Sequence, residues 1–187
     1  MSQISDIRNY MPRRSDSFFF DSNIWMYLYC PLGNYSKRII KPYGQFLQRV
    51  IRAKSKVYIS SLVLSEFYNA YLRLEFNIRK AKSPAKYADY KMHFKGTKAY
   101  FSLLADINAT VKNQILKLAY RIDDEFSHID VLQFLTTIKK CDFNDAYYSM
   151  LAAIREMIIV TNDQDFYAEG RKVKILTANR KLLKKNN

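Results

Sequence analysis

Ser17-Phe18-Phe19-Phe20-Asp21-Ser22-Asn23 decides how this chain is read. Three consecutive phenylalanines stop abruptly at a carboxylate. A short apolar run without alternation suits a strand buried on both faces, as in a parallel sheet. Asp21 then stands just beyond the carboxyl end of that strand. Residues 56–60, 157–161 and 173–177 read as three more strands. Helical stretches separate all four, so parallel crossovers are expected, with helices on both faces of the sheet. In such sheets ligands bind beyond the carboxyl ends of the strands.

The helices follow from spacing and breakers. Residues 1–16 are polar and are expected to be peripheral. A basic amphipathic helix is predicted after Pro42, with Phe46, Leu47, Val50 and Ile51 inward. Ser60 or Ser61 caps the next, over roughly 62–80, which is apolar on more than one side. If that surface is exposed it marks a homodimer or partner interface. Ser83-Pro84 opens another helix, residues 98–120 a longer one, and residues 129–138 a further one. Asp142-Phe143-Asn144-Asp145 reads as a capping sequence, with Asp142 at the cap and Asp145 three residues on.

Composition narrows the function. The 187 residues carry 31 Lys plus Arg against 17 Asp plus Glu, a net charge of +14. Residues 22–65 hold seven bases and no acid, and residues 79–98 hold seven more against Asp89 alone. Such clusters favour a nucleic-acid partner over a merely solubilising surface. Cys30 and Cys141 have no metal-type spacing, which fits a reducing compartment. There is no apolar stretch of signal-peptide or membrane-helix length, so a cytoplasmic protein is expected. His93 and His128 stand alone, outside any catalytic pattern.

Acids are scarce, yet six of the 17 fall in four short segments. These are Phe18-Phe19-Phe20-Asp21-Ser22-Asn23, Leu64-Ser65-Glu66-Phe67, Asp142-Phe143-Asn144-Asp145-Ala146, and Ile158-Ile159-Val160-Thr161-Asn162-Asp163-Gln164-Asp165-Phe166. Carboxylates gathered at one place repel unless a cation sits among them. A divalent ion with hard oxygen ligands, in a basic shell, points to phosphodiester chemistry.

Taken in order, these segments resemble the PIN domain, and the compact form is similar to the VapC-type toxins of toxin–antitoxin modules. The resemblance implies a three-layer α/β/α fold with a central, mostly parallel sheet of four to five strands. It implies one domain over residues 1–187, with a core at about 17–177 and an enlarged helical region at about 78–125. It further implies an endoribonuclease using Mg²⁺ or Mn²⁺, with Asp21, Glu66, Asp145 and Asp163 as the catalytic and metal-holding acids. Ser22, Asn23 and Thr161 would support them, with Asp165 less central and Asp142 chiefly a cap. RNA is the expected substrate and an antitoxin protein a possible partner. The alternatives are a catalytically silent PIN-like module that binds RNA or protein, and a housekeeping RNA-processing nuclease.

Overall fold

The computed structural model describes residues 3–164, 166 and 173–184. It is a three-layer α/β/α structure around one all-parallel sheet. The six strands are β1 (Gln3–Asp6), β2 (Ser17–Phe20), β3 (Lys56–Ile59), β4 (Tyr120–Arg121), β5 (Ile158–Val160) and β6 (Lys174–Thr177), in the order β1-β6-β5-β2-β3-β4. The four strands expected from sequence form the centre.

The two additions are the edges, which raises the count above the expected four to five. Residues 1–16 are thus not all peripheral. Gln3 pairs with Lys174 and Asp6 with Thr177, so β1 extends the sheet. Its sequence, Gln-Ile-Ser-Asp, is polar because an edge strand need not be buried on both sides. β4 is two residues long and pairs Tyr58 with Tyr120 and Ile59 with Arg121. It lies inside the region expected to be helical.

β2 is the axis of the core. Phe18, Phe19 and Phe20 are all fully buried. Alternation along the strand sends Phe18 and Phe20 to one face, where both meet Phe46 at ring separations of 5.3 and 6.2 Å. Phe19 points to the other face and meets Tyr148 at 5.2 Å. One phenylalanine run thereby anchors a helix on each side. Truncating any of these rings to Ala would cost about 3–5 kcal/mol.

Helix α1 (Ser22–Tyr29) follows β2 directly, and α2 (Lys37–Ala53) packs against it. α2 begins five residues before Pro42, not after it. Pro42 lies past the four residues whose N–H groups have no helical partner, so the helix runs through it with one backbone bond missing. α3 (Ser61–Lys82) is capped by the Ser60 hydroxyl, which accepts from the Val63 amide at 3.4 Å. Its Val63, Phe67, Tyr71, Leu72 and Phe76 are buried, and α1 and the helix at Lys98–Thr110 pack against it. The chain itself therefore covers this apolar face, whose exposure would have marked a homodimer or partner interface.

Ser83-Pro84 starts a turn rather than a helix. The next helix, α4 (Tyr90–His93), waits for Asp89, whose carboxylate accepts from the Lys91 and Met92 amides at 2.8 and 2.9 Å. The long helix expected at 98–120 is broken. α5 (Lys98–Thr110) passes into a π turn (Val111–Ile115) and then α6 (Leu116–Leu118). α7 (Val131–Thr137) precedes α8 (Phe143–Ile154), and α9 (Arg180–Lys184) follows β6. No described helix is long and apolar enough to cross a membrane.

Candidate active site

The carboxyl ends of β2 and β5 lie side by side, with Phe20 paired to Val160. The Asp21 amide continues that ladder and donates to the Val160 carbonyl at 3.0 Å. Asp21 occupies the N-cap position of α1 in an extended conformation, but its side chain makes no cap bond. The carboxylate turns into the site instead. It is 5 % exposed.

Thr161 is the hub beside it. Its hydroxyl donates to Asp21 Oδ2 at 2.7 Å and accepts from the Asp163 amide at 3.0 Å and from Asn23 Nδ2 at 3.2 Å. One donor and two lone pairs are thus all used. Asn23 Nδ2 also donates to Asp21 Oδ2 at 2.5 Å, and Asn23 Oδ1 accepts from the Asn162 amide at 3.3 Å. The Ser22 hydroxyl adds a longer bond to Asp21 Oδ1 at 3.3 Å. Ser22, Asn23 and Thr161, singled out as supports in the sequence, all reach Asp21.

Two acids come from helices. Glu66, on α3, accepts from Asn144 Nδ2 at one oxygen and from the Tyr148 hydroxyl at the other. Both partners are on α8, so Glu66 ties α3 to α8. Asp145 lies in the first turn of α8. The local sequence explains this placement: Asn144 and Tyr148 are four apart and share a helix face, with Asp145 beside them.

Electrostatics shows that these acids lie in one another's fields. Burial pushes the Asp21 carboxyl up to about 6, and the charges of Glu66 and Asp163 add to that, while the Thr161 and Ser22 hydroxyls oppose it. Asp145 is pushed up to about 8, first by burial and then by Asp21, Asp163, Asp142 and Glu66. A helix N-terminus favours a carboxylate by about 0.3–1 kcal/mol, less than one unit of pKa. The helix end is therefore outweighed several-fold at Asp145. Tyr148 is held protonated by burial and by Glu66.

Asp142 takes the N-cap position of α8, as expected, but its side chain makes no cap bond. Its charge acts on Asp145 instead, which corrects the reading of it as chiefly a cap. Asp165 lies outside the described residues. The two histidines are elsewhere: His93 Nδ1 accepts from the Asp89 amide at 3.0 Å, and His128 pairs with Glu125 at 2.7 Å.

Sequence reasoning passed over an outer layer. Asn162 donates through Nδ2 to the Tyr27 hydroxyl at 3.0 Å and accepts from the Tyr43 hydroxyl at 2.7 Å. Asn179 Nδ2 donates to the Asn162 carbonyl at 2.7 Å. Asn179 lies two residues beyond β6, at the same carboxyl edge as Asp21.

The donor set is hard oxygen. Among the described residues no three His, Cys, Asp or Glu side chains form a ready ligand cage. Mg²⁺ does not require one, since it keeps several waters and takes one or two carboxylates together with substrate phosphate. Carboxyls raised by burial and by neighbouring acids fit such an ion, because a cation stabilises their charged forms.

Comparison with known proteins gives the family. The crystal structure of PAE2754 from Pyrobaculum aerophilum is similar to this chain, with 15 % identity and a TM-score of 0.45 over 96 % of this chain and 97 % of that one. No curated protein matches the sequence. The family profile described as PIN domain matches residues 18–172, from the phenylalanine run of β2 past the end of β5. The chain therefore belongs to the PIN-domain family, whose members are generally nucleases.

Proposed function

We propose that the protein is a divalent-metal-dependent endoribonuclease that hydrolyses RNA phosphodiester bonds, acting as the toxin of a toxin–antitoxin pair. The observation that carries this reading is the elevation of Asp21 and Asp145, first by burial and then by neighbouring acids, at the carboxyl edge of a parallel sheet, in a chain of net charge +14. Strongly perturbed carboxyls are a mark of functional sites.

In this reading Asp21 and Asp145 hold Mg²⁺ or Mn²⁺, and Glu66 and Asp163 orient water around it. The ion would neutralise these carboxylates and the negative charge that builds on the phosphorus as water attacks. Thr161 and Asn23 would fix the Asp21 carboxylate through Oδ2. Asn144 and Tyr148 do the same for Glu66, as outer-layer donors do for metal ligands generally. The surrounding bases draw the polyanion toward an otherwise acidic site. The toxin assignment draws on the sequence resemblance alone.

Asp21→Asn tests the reading. The variant is expected to keep its fold and lose cleavage of structured RNA in Mg²⁺ or Mn²⁺, matching wild type in EDTA. Cleavage at the wild-type rate would overturn the assignment. RNA binding without any metal-stimulated product in the wild type would favour the silent module. A neighbouring gene for a small DNA-binding or acidic-tailed protein would support the toxin role over RNA processing.

A further inference from the structure

A basic recess lies at the same sheet edge as the carboxylates. Arg8, Arg38 and Arg180 line a cleft of about 300 Å³ together with Asn162, Asn179 and Pro42. No Asp or Glu lines it. The topology explains why three distant arginines meet. β1, β6 and β5 are neighbours in the parallel sheet, and Arg8, Arg180 and Asn162 each follow the carboxyl end of one of them within three residues. Arg38 enters from the first turn of α2. The cleft thus occupies the same carboxyl edge as the acids, displaced toward β1.

Its parts are held in place. Arg8 grips Asp6 through Nε and Nη2, with contacts of 2.5–3.0 Å, which fixes its guanidinium plane and leaves Nη1 unused. Asn179 Nδ2 bonds the Asn162 carbonyl at 2.7 Å, joining the β6 and β5 loops that form the floor. Arg38 and Arg180 make no ion pair among the described residues. Asp6, outside the lining, offsets the charge of Arg8, and those of Arg38 and Arg180 remain in excess. Guanidinium forks match the geometry of phosphate oxygens.

We propose that this cleft binds a phosphate of the substrate backbone, one away from the bond being cut, so that a single strand runs from the carboxylates across Asn162 to the three arginines. The proposal rests on the nuclease reading for its ligand class. Asn162 is the divider: Thr161 and Asp163 flank it on the acidic side, and its own side chain and carbonyl are held by Tyr27, Tyr43 and Asn179. The opposed charges set a register, since the arginines hold one phosphate and the acids repel a strand that arrives without a metal ion.

The test measures binding rather than cleavage. A fluorescent single-stranded RNA is titrated in EDTA over a series of salt concentrations, with and without a 5′-phosphate. The Arg38→Ala/Arg180→Ala pair is compared with Arg52→Ala/Lys56→Ala, which removes two exposed cations from the opposite, amino edge of the sheet. The cleft pair is expected to bind about tenfold or more weakly than the control pair, as loss of charge-assisted bonds dictates. Because both arginines serve one phosphate, the salt slope should fall by about 0.7, not twice that. The 5′-phosphate should make no difference, since the phosphate is internal. Equal binding by the two pairs would overturn the proposal, and so would dependence on a 5′-phosphate or displacement of the RNA by equimolar inorganic phosphate. Binding by Asp21→Asn in the same assay keeps this result separate from the catalytic reading: its loss of cleavage tests the acids, while its retained sensitivity to the arginine substitutions tests the cleft.

Discussion

The strand-borne and helix-borne halves of the site treat a carboxylate differently. Asp21, at the end of β2, is the more deeply buried, yet its carboxyl rises only to about 6. Asp145, on α8, keeps more contact with solvent and rises to about 8. Burial alone would order them the other way. Asp21 is met by Thr161, Asn23 and Ser22, and hydrogen bonds to the charged form offset desolvation. Asp145 has no side-chain donor among the described residues and takes the field of four other acids. The sheet edge holds a fixed carboxylate whose charge is largely satisfied by donors, and the helix holds one whose charge is not.

Removing the hub is the strongest way to break that contrast. Thr161→Val deletes the 2.7 Å bond to Asp21 and the acceptor for the Asp163 amide, at nearly constant volume. Loss of such an outer-layer partner typically costs 10–100-fold in activity or metal affinity, and about that is expected in kcat/KM. The Asp21 carboxyl should also climb above its present value, toward that of Asp145. Should the acidic limb of the pH–rate profile stay where it is in wild type, donors are not what separates the two halves.

A smaller effect isolates the helix-borne half. An unperturbed carboxyl titrates at 3.8, and that of Asp145 at about 8, so the folded protein holds this proton more tightly than the unfolded chain. Below pH 4 both states are protonated and the group imposes no penalty. As pH rises toward 8 the unfolded chain ionises first and stability falls, and above 8 the loss is complete. Asn mimics the protonated acid. Asp145→Asn should therefore melt at the wild-type temperature near pH 4 and above it at pH 9, in EDTA. After solvent screening the gain is about 1–2 kcal/mol, or roughly 2–8 °C in Tm. Added Mg²⁺ should raise the wild-type Tm at pH 9 and leave the variant nearly unmoved. A variant that melts below wild type at pH 9 would mean that Asp145 is stabilised by something other than the missing cation.

The sheet edge was also the more legible half. Phe18-Phe19-Phe20-Asp21 announces a buried strand and a residue at its end, because burial on both faces leaves no room for polar alternation. The same logic placed β3, β5 and β6. It failed at β1, where Gln3, Ser5 and Asp6 face an open edge and carry no apolar signal. It failed also across 83–120, where turn, π turn and a two-residue strand depend on packing that no local periodicity encodes. At the site, the acids were visible because they are rare in a basic chain. Their partners were less so: Asn144, Tyr148, Asn162 and Asn179 are ordinary polar residues until the fold aims them. The arginine cleft was invisible, since Arg8, Arg38 and Arg180 meet only through the strand order.

Asp142 is where sequence and structure disagree most finely, and it offers the smallest test. Its place before Phe143 is that of an N-cap, and a capping Asp is worth typically ~1 kcal/mol. The side chain makes no such bond, and its charge instead presses on Asp145. The two roles predict opposite outcomes for Asp142→Ala. A lost cap would lower Tm at every pH. A lost repulsion would leave Tm unchanged near pH 4 and raise it slightly at pH 9, while the Asp145 carboxyl falls by a fraction of a unit, since exposed charges interact by only about 0.2–1 kcal/mol. Carbon-detected NMR titration of the Asp145 carboxyl in metal-free protein reads the second outcome directly. If the shift matches that produced by Asp21→Asn, an exposed neighbour perturbs Asp145 as strongly as a buried one. The difference between the two halves would then be one of charge count, not of burial and donors.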